Sequence, residues 1–292
     1  MDDSSRDFVI SIRNLAKMFP DREGNPVRVL GGIRFDVLPG ETLVIMGGSG
    51  CGKSTLLNCL IGELTPEQGE ILYQTRAMDA PADLLAMNED ELNELRMRFG
   101  ILFQSGALFN SMTVAENVAL PLKEHSYVDP SIIDIVVTLK LEQVHMRPHR
   151  DKMPSQLSGG QKKRAGLARA TALDPEILFY DEPSAGLDPV TSAAIDELIM
   201  DLSRKLKVTS VVVTHEMDSA FRIADRMVML DRGRVVRIGS RREFEVLRDT
   251  PPEQLASDEE RLIHQFLRGD THGPLTDVEG MSEYEKWILA GE

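Results

Sequence analysis

The sequence predicts an α/β fold built on a parallel sheet, and three observations carry that prediction. Short apolar runs rich in β-branched residues, among them Thr42–Met46, Ile177–Tyr180 and Val208–Val213, read as strands buried on both faces. Charged stretches with helical spacing flank the last two of these runs, and that alternation implies a parallel sheet with crossover helices. The first run stops at a glycine-rich loop. Ser54–Ile61 then places Leu56, Leu57, Leu60 and Ile61 on one helical face.

The remaining elements follow in chain order. Phe8–Ile12 and Ile33–Val37 alternate in the manner of half-buried strands, with Gly24-Asn25-Pro26 as the turn between them. The stretch over about 105–163 is helical in pattern, with Asp129-Pro130-Ser131 as a helix start, and is expected to be a helical subdomain inserted into the α/β core. Pro252–Arg268 sets Leu255, Leu262, Ile263, Phe266 and Leu267 at helical spacing, as a last helix packing on its own core would. Further on, Ser282 and Glu285 form a capping-box pattern, and Tyr284, Trp287 and Ile288 share one face. That last turn suits docking on a neighbouring subunit or a small regulatory protein, or folding back on its own domain.

Composition narrows the classes. The chain has 292 residues, 42% of them apolar, enough for one large domain or two small ones. No apolar run approaches the ~18 residues that a membrane helix needs. The polar, acidic start Met1-Asp2-Asp3-Ser4-Ser5 is no secretory signal, so a cytoplasmic location is expected. A net charge of −14 argues against a surface that tracks nucleic acid. Only Cys51 and Cys59 occur, with no histidine at zinc-finger spacing, which suits a reducing compartment.

Gly47-Gly48-Ser49-Gly50-Cys51-Gly52-Lys53-Ser54 fits G-x-x-x-x-G-K-[ST], with Thr55 next to it in the first helical turn. Glycines let backbone N–H groups curve around a phosphate, and the following helix aims its N-terminus at the same anion. Lys53 adds a point charge, and the Ser54 hydroxyl suits Mg²⁺. Cys51 reads either as a thiol sensitised by the helix N-terminus or as a small residue that fits the loop; no resolving cysteine is adjacent, which favours the second. Ile177–Tyr180 delivers Asp181 and Glu182 to a strand end, where ligands bind in α/β folds. Asp181 there suits the Mg²⁺ shell, and Glu182 suits the task of polarising an attacking water.

Leu157-Ser158-Gly159-Gly160-Gln161 then opens a basic helix. With Gln104 before it, and the Asp181-Glu182 strand end, Ser184-Ala185-Gly186-Leu187-Asp188 and Thr214-His215-Glu216 after it, the sequence resembles the ATP-binding-cassette ATPases over about residues 8–240. The resemblance implies a P-loop NTPase with an antiparallel N-terminal β subdomain, a RecA-like parallel-sheet core and an inserted helical subdomain. Residues 241–292, with 13 acidic against 6 basic side chains, would be a helical extension and acidic tail.

The resemblance also implies ATP and Mg²⁺ as ligands and a homodimer with shared sites. Ser158, Gly159, Gly160 and Gln161 of one subunit would close on the nucleotide of the other, and Asp188 would couple the two sites. Gln104 would reach Mg²⁺ and the water, and His215 the γ-phosphate and Glu182. An aromatic residue ahead of the cassette would stack on adenine, with Phe19 the candidate and a core phenylalanine the plain alternative. Lys162, Lys163, Arg164 and Arg169 read as a solvated basic helix face with ion pairs.

In transporters of this superfamily, the glutamine segment and the helical subdomain receive a short helix of the membrane permease. Leu108 and Phe109 are the candidate contacts, or else ordinary core residues, and Ser105, Gly106 and Ala107 would let the linker shift. Phe103–His125 is similar to the ATPases of Mla/Mce-type lipid transporters, as are the stretches over 167–192 and 263–274. That implies a peripheral protein on the cytoplasmic face of the inner membrane, with permease subunits and a lipid-binding Mce-domain protein as partners. Amino-acid importers and lipoprotein or macrolide exporters share the cassette motifs and form the alternative. A soluble cassette acting on nucleic acid would be expected to carry paired cassettes or a long coiled coil. A degenerate cassette would not keep Lys53, Asp181, Glu182 and His215 together.

Overall fold

The computed structural model describes residues 8–276. The turn expected at Ser282–Gly291 lies outside them. β1 (Ile10–Pro20), β2 (Pro26–Val37), β4 (Gln68–Tyr73) and β5 (Ala82–Asp83) form an antiparallel sheet in the order β2-β1-β4-β5. β3 (Thr42–Gly47), β6 (Phe99–Leu102), β7 (Ile177–Asp181), β8 (Thr209–Val213), β9 (Arg226–Asp231) and β10 (Arg234–Ser240) form the second sheet, in the order β10-β9-β3-β8-β7-β6. All neighbours in it pair parallel except β10, which runs antiparallel along the edge.

The first hairpin is longer than its alternating ends suggest. The β1–β2 ladder slips register between Ile12 and Leu15, where Asn14 takes a left-handed φ of 50°. That bulge breaks the period-2 pattern and hides the outer half of each strand from a sequence reading. Asp21 closes the turn, its carboxylate accepting from the N–H groups of Glu23 and Asn25.

The parallel strands are apolar on both faces because each face has its own core. Val44, Met46, Leu178, Tyr180 and Val212 point to one side, and Leu43, Ile45, Ile177, Phe179 and Val211 to the other. The second side is covered by the antiparallel sheet and α1 (Lys53–Leu60). The first is covered by α3 (Val114–His125), α4 (Pro130–Gln143), α5 (Gly159–Ala170), α6 (Pro189–Leu206), α7 (Met217–Ile223) and α8 (Arg241–Asp249). α2 (Glu89–Arg96) leads into β6.

α3, α4 and α5 lie between β6 and β7. The Thr113/Glu116 capping box starts α3, and Asp129 caps α4 ahead of Pro130. α5 runs past position 163 to Ala170, because Leu167 and Ala168 are buried in the core. Near the C-terminal end a short 3₁₀ turn, Pro252–Gln254, precedes α9 (Asp258–Arg268), which begins after the cap residue Ser257. Leu255, Ile263 and Leu267 are buried, so this segment packs on its own domain. Among the described residues no helix is long and apolar enough to cross a membrane.

Candidate functional site

β3 ends at Gly47 and α1 begins at Lys53, so the glycine-rich loop bridges a strand tip and a helix N-terminus. Two of its glycines are required by space. A Cβ at Gly47 would lie 2.2 Å from the Leu230 carbonyl oxygen, and one at Gly52 (φ 106°) would lie 2.7 Å from Leu30. Around Gly48 the space is open, which leaves the loop's inner rim free for a ligand. The Lys53 ammonium is buried and donates to the carbonyls of Gly47 and Gly48 at 2.8 and 2.9 Å, held over the loop. Ser54 is exposed and Thr55 half-buried in the first turn of α1.

A cavity of about 620 Å³ opens here. Gly47, Gly48, Ser49, Gly50, Gly52, Lys53, Ser54 and Thr55 line one side, and Gln104, Asp181, Glu182 and His215 line the other. Residues far apart in the chain thus converge on one space. Asp181 stands at the tip of β7. Burial, and then the neighbouring Glu182, raise its carboxyl, while Lys163 and Lys53 pull it down. Glu182 follows with a left-handed φ of 47°, a strain of about 1–3 kcal/mol for a residue with a side chain. Its N–H donates to the Val213 carbonyl at 2.9 Å, and its carboxylate lies 2.8 Å from His215 Nδ1.

The two loops that carry this pair are tied together below the surface. Ser184 bonds Ser219, and Ser219 donates to the buried Asp196 of α6 at 2.6 Å, which also accepts from Arg222. This network fixes the loop after Glu182 against the helix after His215.

Ser54, Gln104 and Asp181 bring a hydroxyl, an amide and a carboxylate to the same cavity. Hard oxygen donors, with a single carboxylate and room for phosphates and water, fit Mg²⁺. The described residues hold no cluster of three His, Cys, Asp or Glu that could cage a metal by itself.

Other expected site residues lie elsewhere. The Cys51 thiol is 2% exposed, faces inward beneath the loop, and is not among the cavity's lining residues; burial pushes it above the usual thiol range. That is the small loop residue rather than the sensitised thiol. Phe19, near the end of β1, is half-buried rather than in the core, with Lys17 Nζ 5.2 Å from its ring centroid, and it does not line the cavity. Val29 and Phe266 are the apolar side chains that do. Phe266 belongs to α9, and its apolar spacing gave no sign that it differs from Ile263 or Leu267, which are core residues.

Ser158, Gly159, Gly160 and Gln161 form the N-terminus of α5. Ser158 Oγ accepts from the Gln161 N–H, and Gln161 Oε1 accepts from the Ser158 N–H, a reciprocal cap. Ser158 and Gly159 are exposed and do not line the cavity. Asp188 caps α6 beside them, accepting from the N–H groups of Val190 and Thr191. A Cβ at Gly160 would lie 2.5 Å from Thr191 Cγ2, so the two helix starts are packed in contact.

The basic helix is not the solvated face that its composition suggests. Lys163 is 4% exposed, and its ammonium donates to the Glu182 carbonyl at 2.8 Å. Burial lowers its pKa to about 8, against the pull of Asp181, Glu182 and Glu216. Arg164 donates to the Val144 carbonyl, and Arg169 to those of Ala107 and Gly106. Gly160, Lys163 and Leu167 share the buried face at helical spacing, which was the available signal for Lys163.

Arg169 also holds the linker after Gln104, so Ser105-Gly106-Ala107 is anchored rather than loose. The guanidinium lies 5.8 Å from the Phe109 ring, and the buried Asn117 bonds both backbone atoms of Phe109. Phe109 is 50% exposed, whereas Leu108 is half-buried against the core. Of the two, Phe109 is the one that presents a free apolar surface.

A phosphate loop, an acidic strand end with a histidine-held glutamate and a separate glycine-rich helix cap define an ATP-binding phosphoryl-transfer protein. The family model described as ABC transporter matches residues 30–185, and the chain belongs to that family as an ATPase subunit of an ABC transporter. It is 37% identical to the intermembrane phospholipid transport system ATP-binding protein MlaF of Haemophilus influenzae, over 96% of this chain and 98% of that one. It is 40% identical to the probable ribonucleotide transport ATP-binding protein mkl of Mycobacterium leprae, over 94% and 72%. Among solved structures, the dimeric cassette MJ0796 with ADP and Pi superposes with a TM-score of 0.71 at 30% identity, over 79% of this chain and 98% of that one. The cbiO1 subunit from Clostridium perfringens gives 0.72 at 30%, over 83% and 94%.

Proposed function

We propose that this chain powers a transporter that moves phospholipid or a related lipid between bacterial membranes, of the Mla/Mce type. The observation that carries this reading is the end-to-end alignment with the phospholipid-transport ATPase, which includes the Phe103–His125 segment and the residues beyond the cassette. Permease subunits, an Mce-domain lipid-binding protein and a small regulatory protein at the C-terminal tail are the proposed partners. The chain then acts at the cytoplasmic face of the inner membrane.

In this reading the loop N–H groups and the α1 N-terminus bind the phosphates, with Lys53 above them. Ser54, Gln104 and Asp181 hold Mg²⁺, which when bound supplies neutralising charge to the phosphate oxygens. Glu182 accepts the proton of the attacking water, and His215 orients that carboxylate. Two copies pair head to tail about a twofold axis. Ser158, Gly159 and Gly160 of each then complete the other's site, and Asp188 adjoins them. Phe109 is the exposed permease contact, linked to Gln104 through the anchored linker.

The relative named for ribonucleotide transport defines the competing cargo. Capture of the chain from its own membranes, with mass spectrometry of the co-purified complex, separates the two. A permease with bound phospholipid supports the proposal. A permease complex whose ATP turnover is stimulated by ribonucleotides and not by phospholipid would replace it.

A further inference from the structure

Lys163 lies one helical turn beyond Gly160, inside the protein, where an ammonium requires partners to remain. Its hydrogen bond goes to a main-chain atom, the carbonyl oxygen of Glu182, at 2.8 Å. Glu182 is the left-handed residue of the site. Its N–H is held by Val213, its carboxylate by His215, and its carbonyl by Lys163 with the Ala185 N–H at 3.3 Å behind. Lys163 therefore closes the set of bonds that fixes a strained backbone under a reacting carboxylate. It does so from α5, whose exposed N-terminus is the Ser158–Gln161 cap. Lys163 is the fifth residue of the helix that Ser158 caps, so a rigid shift of that helix moves both.

From this geometry we infer that Lys163 is a positioning residue that links the two halves of the nucleotide machinery within one chain. The cap that serves the partner's nucleotide is joined through Lys163 to the glutamate that serves the chain's own. Engagement of Ser158 on one site thereby sets Glu182 on the other. This rests on the proposed dimer with shared sites.

The test uses the full-length chain with Lys163→Met, Lys163→Gln and Glu182→Gln. Methionine fills the space without a donor, and glutamine restores an N–H. ATP binding by a fluorescent analogue, turnover against ATP concentration and thermal stability are measured for each. The expected result for Lys163→Met is a turnover number lowered by about tenfold or more, with nucleotide affinity within about twofold and a Hill coefficient reduced to 1. Lys163→Gln recovers most of the turnover and the cooperativity. If Lys163→Met keeps the native turnover and Hill coefficient while Glu182→Gln is inactive, the inference is overturned and the proposed function stands. Equal losses in both Lys163 variants, in step with a lower melting temperature, also overturn it, in favour of packing. Native turnover in Glu182→Gln overturns the proposed role of Glu182 and the inference with it.

Discussion

Glu182 and His215 are joined twice: the carboxylate Oε1 lies 2.8 Å from the ring Nδ1, and the His215 backbone N–H donates to Oε2 at 3.3 Å. Both carboxylate oxygens are thus oriented by one residue. His215 itself lines the cavity. Exchange of Glu182 for glutamine is expected to lower ATP turnover by about 10²–10⁴-fold while ATP still binds. His215→Ala should lower turnover to a similar degree. Steady-state hydrolysis alongside equilibrium nucleotide binding checks both, and a Glu182→Gln protein with native turnover would contradict the assignment.

The contact between Gly160 and Thr191 predicts an intolerance at the cap. Gly160→Ala places a methyl group 2.5 Å from Thr191 Cγ2 and should lower stability by about 1–3 kcal/mol. Thr191→Ser removes that methyl and keeps the hydroxyl that bonds Asp188. Chemical denaturation of the double variant should therefore show recovery, and strictly additive losses would rule the contact out.

Asn117 and Phe109 separate stability from coupling. Asn117 is fully buried, and its amide bonds the carbonyls of Phe109, Met112 and Thr113 while accepting from the Phe109 N–H. Asn117→Ala should destabilise the fold by roughly 1–3 kcal/mol, because the part-buried Phe109 N–H and Met112 carbonyl lose the amide that pairs them. Phe109→Ala, at a half-exposed side chain, should leave stability within about 0.5 kcal/mol. It should nevertheless weaken permease capture, read by co-purification.

Lys163 makes stability depend on pH at the alkaline end. Its folded pKa of about 8 lies below its ordinary 10.5, so between those values the folded state binds fewer protons than the unfolded state. Stability should rise with pH across that window, by up to ~3 kcal/mol from this group, and be flat in this respect below 8. Denaturation midpoints of the native chain and Lys163→Met from pH 7.5 to 10 check it. The buried Cys51 and Cys59 thiols, both raised by burial, lower stability with pH in each protein, so the Lys163 contribution is the difference, with the native chain gaining stability relative to the variant as pH rises.

Much of this architecture was legible because its signals are local. The parallel strands announce themselves as doubly buried runs, and Gly47, Gly52 and Asp129-Pro130 are residues that only particular backbone shapes require. The convergence of Gln104, Asp181, Glu182 and His215 follows from strand order, since each stands at or just after the end of a strand of one sheet. What stayed hidden depends on contacts across the fold. The bulge at Asn14 scrambles the alternation of β1, and only the spacing of Lys163 with Gly160 and Leu167 separates it from the other basic residues of its helix. Phe266 reaches the cavity only because α9 folds back to it. Phe19 does not line the cavity, and its ring lies beside Lys17.

In the proposed dimer, the Ser158 hydroxyl serves two purposes. Its cap on Gln161 uses the oxygen as an acceptor, which leaves the hydroxyl hydrogen available to a second oxygen outside the helix. Aspartate would start α5 equally well, yet it would offer no proton and, in the proposed dimer, would add a negative charge where the partner's phosphate approaches. An exchange at this position could therefore leave the melting curve of the isolated chain unchanged and still remove every trace of transport. Stability screens would pass such a variant as silent.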